Sequence, residues 1–327
     1  MGSSWGMSIA TTQRTKRSNE KRKPRTETSI GRSHKKAGAT RNSRSFVPFL
    51  LPATLLLALM SVFPLIQLLR MSVSEVTATT LNQQWHWVGV ENFVNGFSSG
   101  ETLGALGRTI LFVIIVTVIG MGFGVAAAIS MRGSAPSAAA LLAIMVFVWA
   151  LPPVVNGSVW KFLMADRGLF NTIVGAFGFS EIPFLYSQNF ALVSVAIVNA
   201  WAVIPFNALV YRAAILNIPS ETFEAAKLDG ASSWQEVRYI ILPALRPTTL
   251  VLLVLTLVNA FRSFDFIYVM TKGGPGVATN TLPFLGYLQA FVQYDFGRGA
   301  ATSVIAVLLV LVLAVIYSRT VLKEESE

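Results

Sequence analysis

Residues 224–243 read Glu-Ala-Ala-Lys-Leu-Asp-Gly-Ala-Ser-Ser-Trp-Gln-Glu-Val-Arg-Tyr-Ile-Ile-Leu-Pro, a polar stretch in a chain that otherwise contains few charges. Apolar runs flank it at 190–211 and 248–270, and each run is long enough to cross a membrane as a helix. The sequence therefore predicts a water-exposed loop between two membrane spans. A loop of this kind is suited to contact with a soluble partner.

Local signals within this loop predict a helix, a turn and a second helix. Alanines and acidic residues favour a short first helix that begins near Pro219 and Ser220. Gly230 permits a sharp turn. A second, amphipathic stretch places apolar side chains at helical spacing, and we expect Pro243 and Pro247 to end it before the next span. Its apolar positions are Trp234, Val237, Ile240 and Ile241.

Composition places the whole chain among membrane proteins. The 327 residues are 53% hydrophobic and 13% charged, and the mean hydropathy is +0.59. A hydrocarbon core of about 30 Å needs roughly 20 helical residues, and no run shows the period-2 alternation of a barrel strand. We therefore predict an all-α, polytopic membrane protein with six transmembrane helices. The six runs are Phe46–Leu69, Thr109–Met131, Ala138–Trp160, Phe190–Tyr211, Thr248–Met270 and Ala300–Ser318.

Positive charge is concentrated in the first 45 residues. This segment is rich in Lys, Arg, Ser and Thr and has few apolar residues, which predicts a disordered tail. A nucleic-acid-binding arm is one interpretation. The preferred one is a cytoplasmic tail that orients the first span and contacts anionic lipid headgroups, with no nucleic-acid partner. Six spans then place both termini in the cytoplasm.

The spacing of the loop resembles a known motif. Glu-Ala-Ala, three residues, Gly230, nine residues and then Ile-x-Leu-Pro is similar to the EAA loop of permease subunits in binding-protein-dependent ABC importers. The resemblance implies a type I importer permease (MetI-like) architecture over residues 46–320, with a cytoplasmic loop at 212–247 and a short cytoplasmic C-terminus at 321–327. It also implies a bacterial or archaeal inner-membrane location.

In that family the loop couples transport to a separate ATPase. The chain has no G-x-x-x-x-G-K-[ST] phosphate-binding loop, so we expect no cofactor in this chain and ATP bound by the partner subunit. The implied partners are a second permease, two ATP-binding subunits and an extracytoplasmic solute-binding protein. The implied coupling residues are Glu224, Ala225, Ala226, Asp229, Gly230, Ala231, Ile240, Leu242 and Pro243.

A second motif narrows the resemblance to carbohydrate importers. Thr271, Gly273, Gly274 and Pro275, with Thr279 four residues further on, are similar to the T-x-GGP-x3-T signature of the first, MalF-like permease of maltose-type systems. The segments ending at Asn92-Phe93 and Asn171 are similar to other elements of that family. The resemblance implies ATP-driven import of a di- or oligosaccharide by a subunit that is not itself an enzyme. Glycerol-phosphate importers contain a similar first permease, so a glycerol phosphate remains an alternative substrate.

Polar and aromatic side chains within the spans indicate a solute pathway, because such groups are unfavourable against lipid. For each asparagine, the competing interpretation is a hydrogen bond between helices. Arg262 and Asp265 stand three residues apart and are expected either to line the pathway or to pair with each other. The candidate pathway residues are Asn156, Asn199, Trp201, Asn207, Asn259, Arg262 and Asp265.

Two other classes of function fit the sequence less well. An autonomous secondary transporter predicts paired inverted repeats, and the sequence contains no convincing internal repeat. A membrane enzyme predicts clustered Asp, Glu or His side chains, whereas the only histidines are His34 and His86, neither near a carboxylate cluster. No metal site is expected.

Overall fold

Helices make up nearly all of the regular structure, as expected of segments that must satisfy their own backbone hydrogen bonds in lipid. The computed structural model describes residues 47–133 and 136–324, with side chains over 51–133 and 136–315. The predicted basic tail, 1–45, lies outside the described residues. The helices in chain order are α1 (Val47–Ser72), α2 (Glu91–Ser98), α3 (Glu101–Ser130), α4 (Pro136–Ala150), α5 (Pro153–Leu163), α6 (Leu169–Ala176), α7 (Ala191–Leu216), α8 (Ser220–Leu228), α9 (Ser233–Glu236), α10 (Leu242–Ala244), α11 (Arg246–Phe261), α12 (Asp265–Met270), α13 (Leu282–Tyr287) and α14 (Phe296–Glu324).

Two short π-helical segments and a small hairpin complete the described elements. The π-helical segments are Val237–Ile241, between α9 and α10, and Leu288–Val292, after α13. The hairpin pairs β1 (Ser74–Glu75) with β2 (His86–Trp87) in antiparallel register. Because each strand has only two residues, the hairpin does not alter the predicted all-α class.

Five helical stretches of the described chain are long and apolar enough to cross a membrane, and a bent helix pair supplies a possible sixth. The five are Leu51–Ser72, Glu101–Ser130, Ala191–Leu216, Arg246–Met270 and Phe296–Val315. Each overlaps a predicted run. The second and sixth runs extend beyond their predicted ends, because α3 begins at Glu101 and α14 continues to Glu324.

The third predicted run, Ala138–Trp160, is not a straight span. It forms α4 and α5, whose axes differ by 104°. Pro152 lies at the bend in an extended conformation (φ −57°, ψ 139°), and Pro153 opens α5. Proline lacks a backbone N–H and its ring collides with the preceding turn, so two consecutive prolines break the helix here.

A second break divides the fifth span. Helix α11 ends at Phe261 and α12 begins at Asp265, with no proline or glycine between them. The amide Nδ2 of Asn199, in α7, donates a hydrogen bond to the Ser263 hydroxyl across 2.5 Å. This bond joins the irregular turn to a neighbouring helix, which helps to satisfy polar groups in an otherwise apolar region.

Close packing of α3 on α7 forms the centre of the bundle. A Cβ atom built on Gly124 would lie 2.7 Å from the Cβ of Asn207, and one built on Gly120 would lie 3.6 Å from Val203. Gly122, on the opposite side of α3, has nothing within 4 Å. The small residues therefore allow the two backbones to approach closely.

Two apolar clusters lie on either side of this contact. The larger joins α3 and α7 to α11, α12 and α13 and includes Phe112, Val195 and Ile267. The smaller joins α3, α7 and α11 to the polar loop and includes Tyr211 and Ile241. Residues from Leu55 onward form one compact unit, which contains both clusters. The first eight described residues, the start of α1, belong to a separate N-terminal unit.

Candidate functional site: polar loop and central clefts

The polar loop projects an exposed first helix, α8. Glu224, Ala225, Asp229 and Gly230 are exposed, and Leu228 at the end of the helix is 90% exposed. The structure therefore brings the predicted contact residues of the first half of the loop, 224–231, together at its tip.

Gly230 adopts the turn conformation that its sequence position predicted. Its φ is +78°, a left-handed conformation that disfavours residues with a Cβ. The N–H of Ala231 bonds the carbonyl of Ala226 across 2.9 Å and closes the end of α8. No heavy atom lies within 4 Å of a Cβ built on Gly230, so the space beside the turn is open.

The second half of the loop differs from the prediction in two respects. Trp234, expected on the apolar side, is 71% exposed, whereas Val237 and Ile241 do pack against the smaller apolar cluster. Trp234 lies in the first turn of α9, where a capping box formed by Ser232 and Gln235 sets the direction of the helix and turns the indole outward.

The helical path breaks at Leu245, between Pro243 and Pro247, as expected, but each proline lies inside a helix rather than beyond its end. Pro243 lies within α10 and Pro247 in the first turn of α11. The wider π-helical turn just before Pro243 gives the chain a register in which the missing N–H and the bulky ring are tolerated. Ile240, Leu242 and Pro243 therefore belong to the base of the loop rather than to its tip.

An ion pair that the sequence did not predict ties this base to α3. Arg132 Nη1, just beyond the end of α3, lies 3.0 Å from Glu236 Oε2 in α9. The two residues are far apart in the sequence and belong to no shared local pattern. Sequence reasoning had no signal with which to find this contact.

A cleft of about 350 Å³ lies where the bent pair α4–α5 faces α7 and α11. Three predicted pathway residues line it: Asn156, Asn199 and Asn259. Trp149 and Phe206, which the sequence did not single out, are also in its wall. Within the described residues, the side chains of Asn156 and Asn259 form no hydrogen bond, so their amides are available to a solute.

A neighbouring cleft shares three residues with the first. It also measures about 350 Å³ and is lined by Val203, Phe206, Leu255, Thr256, Val258, Asn259 and Arg262. Arg262 is exposed there, and the described structure shows no ion pair between it and Asp265. Asp265 is exposed outside both clefts. Arg262 and Asp265 therefore do not pair with each other in the structure, so that one of the two expected arrangements is absent.

The remaining two pathway candidates lie away from the clefts. Trp201 packs edge-on against Trp160, with ring centroids 5.2 Å apart. Asn207 is fully buried and accepts a hydrogen bond from the Thr256 hydroxyl across 3.2 Å. Asn207 thus forms the bond between helices that was the competing interpretation.

Hydrogen bonds of its threonines hold the signature turn at 271–279. The hydroxyls of Thr271 and Thr279 are 2.8 Å apart, and Thr279 also donates to the carbonyl of Gly274 across 3.0 Å. Gly273 has φ +89°, and a Cβ there would collide with Asn280 and Phe284. Three fixed positions of the signature, Thr271, Gly273 and Thr279, therefore have a structural reason in this turn.

Asparagines in the two other predicted family elements also stabilise loops. Asn92 Nδ2 donates to the carbonyls of Ser72 and Ser74, each across 3.0 Å. Asn171 exchanges hydrogen bonds with the backbone of Ile182, in both directions. Within the described residues, no group of three or more His, Asp or Glu side chains is placed to hold a metal ion.

A family model for the binding-protein-dependent transport system inner membrane component matches residues 120–322, the larger part of the chain. The chain belongs to this family. It is therefore an inner-membrane transport component, and not an enzyme by itself. The family predicted from the loop motif is confirmed.

Relatives of this permease include three whose names give a sugar or a sugar derivative as the transported solute. The trehalose/maltose transport system permease protein MalF of Thermococcus litoralis is 31% identical over 71% of this chain and 79% of its own length. The diacetylchitobiose uptake system permease protein DasB of Streptomyces coelicolor is 29% identical over 89% and 92%. The sulfoquinovosyl glycerol permease SmoG of Agrobacterium fabrum is 29% identical over 84% and 89%.

The fold of the permease also has a counterpart of known structure. A chain of a bacterial ABC transporter involved in the import of the acidic polysaccharide alginate superposes with a TM-score of 0.74. The match covers 86% of this permease and 96% of that chain, at 21% sequence identity. The predicted all-α permease architecture is thereby confirmed.

Proposed function

We propose that this permease moves a saccharide across the membrane as one of two membrane subunits of an ATP-driven importer. The observation that carries the proposal is the central cleft, where three asparagine side chains and three aromatic rings face one space without an acidic residue. Amides match the donors and acceptors of sugar hydroxyls, and aromatic rings can pack against pyranose faces. The named relatives, which transport sugars, support this substrate class.

In this proposal the polar loop couples solute movement to a separate ATPase. The exposed tip at Glu224, Asp229, Gly230 and Leu228 docks on an ATP-binding subunit, and the base at Ile240, Leu242 and Pro243 holds the tip against the bundle. The assembly contains a second permease, two ATP-binding subunits and an extracytoplasmic binding protein. Both termini then face the cytoplasm.

Purification of the complex through a tag on this permease tests the assembly. We expect a second permease and an ATP-binding subunit to co-purify, and the complex in proteoliposomes to accumulate a sugar when ATP and the binding protein are supplied. A chain that purifies alone and still moves solute in liposomes would be an autonomous transporter, contrary to the proposal.

Substitution of Gly230 tests the loop. Gly230→Asp places an additional negative charge and a Cβ at a left-handed position, which aspartate and asparagine tolerate better than other residues with a Cβ. We expect ATP-driven uptake to fall and less ATP-binding subunit to co-purify. Gly230→Asn is the matched control, because asparagine tolerates this conformation and adds no charge. Unchanged uptake and docking in Gly230→Asp would exclude the assigned role.

An anionic substrate such as a glycerol phosphate is the second candidate, and Arg262 favours it. This arginine lines the second cleft without a paired carboxylate. If the solute is anionic, Arg262→Gln should raise its apparent KM at least about tenfold, since a charge-assisted hydrogen bond contributes roughly 1.5–3 kcal/mol. If the solute is a neutral sugar, the same substitution should change KM by less than about threefold.

A further inference from the structure

The ion pair between Arg132 and Glu236 is buried on its acidic side. Glu236 is 5% exposed, whereas its neighbours Trp234 and Gln235 are exposed. A buried carboxylate that loses its cation is strongly destabilised, because little water is available to replace the partner. Glu236 therefore keeps α9 close to Arg132 as long as its charge stays buried.

A second arginine fixes the residue next to Arg132. Arg212, in α7, donates from Nε to the carbonyl of Met131 across 3.0 Å. Met131 is itself fully buried. The end of α3 is thus held on one side by α7 and on the other side by the loop, through polar contacts at consecutive residues.

The contact between loop and bundle beside this ion pair is not closely packed. A cavity of about 570 Å³ lies between α8 and the ends of α3 and α7, and both Arg132 and Glu236 line it. Apolar contact is non-directional and allows surfaces to slide, whereas a charge-assisted hydrogen bond has a preferred length and direction. The ion pair is therefore the contact here that resists sliding of α9 relative to α3.

We propose that Arg132 and Glu236 are positioning residues that transmit movement of the polar loop to α3. Because α3 packs directly on α7, and α7 contributes Asn199 and Val203 to the clefts, the movement reaches the solute pathway. This inference rests on the proposed function, since it requires an ATP-binding subunit that moves the loop.

The absence of cysteine from the chain permits a direct test. A single reporter, Val203→Cys, lies in the wall of both clefts. In the purified complex, we expect ATP with vanadate to change the rate at which a thiol reagent labels this cysteine. Glu236→Gln and Arg132→Gln should each reduce that nucleotide-dependent change at least about fivefold, and the double variant should lose no more than either single variant.

The same samples show whether a variant impairs the transmission of movement, the binding of the ATP-binding subunit or the folding of the permease. The ATP-binding subunit should still co-purify with each variant, and ATP hydrolysis should continue without coupled movement. Glu236→Asp keeps the charge on a shorter side chain and should retain a partial response. It also tests the proposal if the glutamine variants fail to assemble.

The ion pair of Arg298 and Glu101, 2.8 Å apart at the opposite end of α3, supplies the matched control. Arg298→Gln should leave the nucleotide response unchanged. A full response in Glu236→Gln would overturn the proposal, as would loss of the ATP-binding subunit from that variant alone. If the unsubstituted chain captures no ATP-binding subunit, the proposed function itself fails.

Discussion

Thr279 in the signature turn and Thr281, two residues beyond it, differ in their hydrogen bonding. The hydroxyl of Thr279 bonds Thr271 and the carbonyl of Gly274, and the residue is fully buried. The hydroxyl of Thr281 is also buried but has no hydrogen-bond partner among the described residues. The same residue type therefore has a different energetic role two positions along the chain.

Replacement of each hydroxyl by a methyl group should reveal this difference. Thr279→Val leaves the carbonyl of Gly274 without this donor and should destabilise the protein by about 1–3 kcal/mol. Thr281→Val removes an unpaired buried polar group and should be neutral or stabilising. The apparent Tm of the detergent-solubilised complex measures both, and an equal loss from the two substitutions would contradict the assignment.

At the scale of whole helices, the contact between α3 and α7 limits which residues α3 can carry. Gly120 and Gly124 face α7, whereas Gly122 faces away from it. Asn207, opposite Gly124, bonds Thr256 in α11 and so connects a third helix to the same contact. The glycines and this asparagine together determine how closely three helices approach.

Alanine substitutions should distinguish the two faces of α3. Gly124→Ala places a Cβ 2.7 Å from the Cβ of Asn207 and should destabilise the fold by about 1–3 kcal/mol through overpacking. Gly122→Ala meets nothing within 4 Å and should be neutral or slightly stabilising. Thermal unfolding of the two variants side by side measures the difference, and equal Tm values would show that the contact does not restrict α3.

At the scale of the whole molecule, one end of the bundle carries the polar loop and the other carries the signature turn. The polar loop and the signature turn lie on either side of the fifth span, which runs from Arg246 to Met270. A span of that length crosses the hydrocarbon core once. The loop and the turn are therefore expected on opposite sides of the membrane.

Labelling of single cysteines should establish this topology, again because the natural chain has none. Val277→Cys, in the exposed signature turn, should react with a membrane-impermeant maleimide in intact cells. Asn217→Cys, at the exposed end of α7, should react only after the membrane is permeabilised. Labelling of both residues, or of Asn217→Cys alone, in intact cells would contradict the proposed orientation.

The sequence predicted those features that depend on local patterns. Apolar runs located the spans, and Gly230 marked the turn in the loop. The break between Phe261 and Asp265 carries no proline or glycine, so local propensity offered no signal for it. Its position depends on the tertiary contact between Asn199 and Ser263.

The clefts were predictable only in part, for the same reason. Intramembrane polarity selected Asn156, Asn199 and Asn259, which do share a cleft. The same criterion selected Asn207, because polarity alone does not tell which side of a helix faces a neighbour and which faces a cavity. The pairing of Arg132 with Glu236 is decided by the packing of distant segments and has no counterpart in either local sequence.

Because α3 is long, a small tilt of the helix displaces its far end by a large distance. Its 30 residues span about 45 Å at 1.5 Å per residue. If the loop end of the helix acts as the fulcrum, a tilt of about 10° displaces the far end by about 8 Å, most of the roughly 10 Å diameter of a neighbouring helix. A small rotation at Arg132 would then displace the far end of the rigid helix by most of a helix diameter.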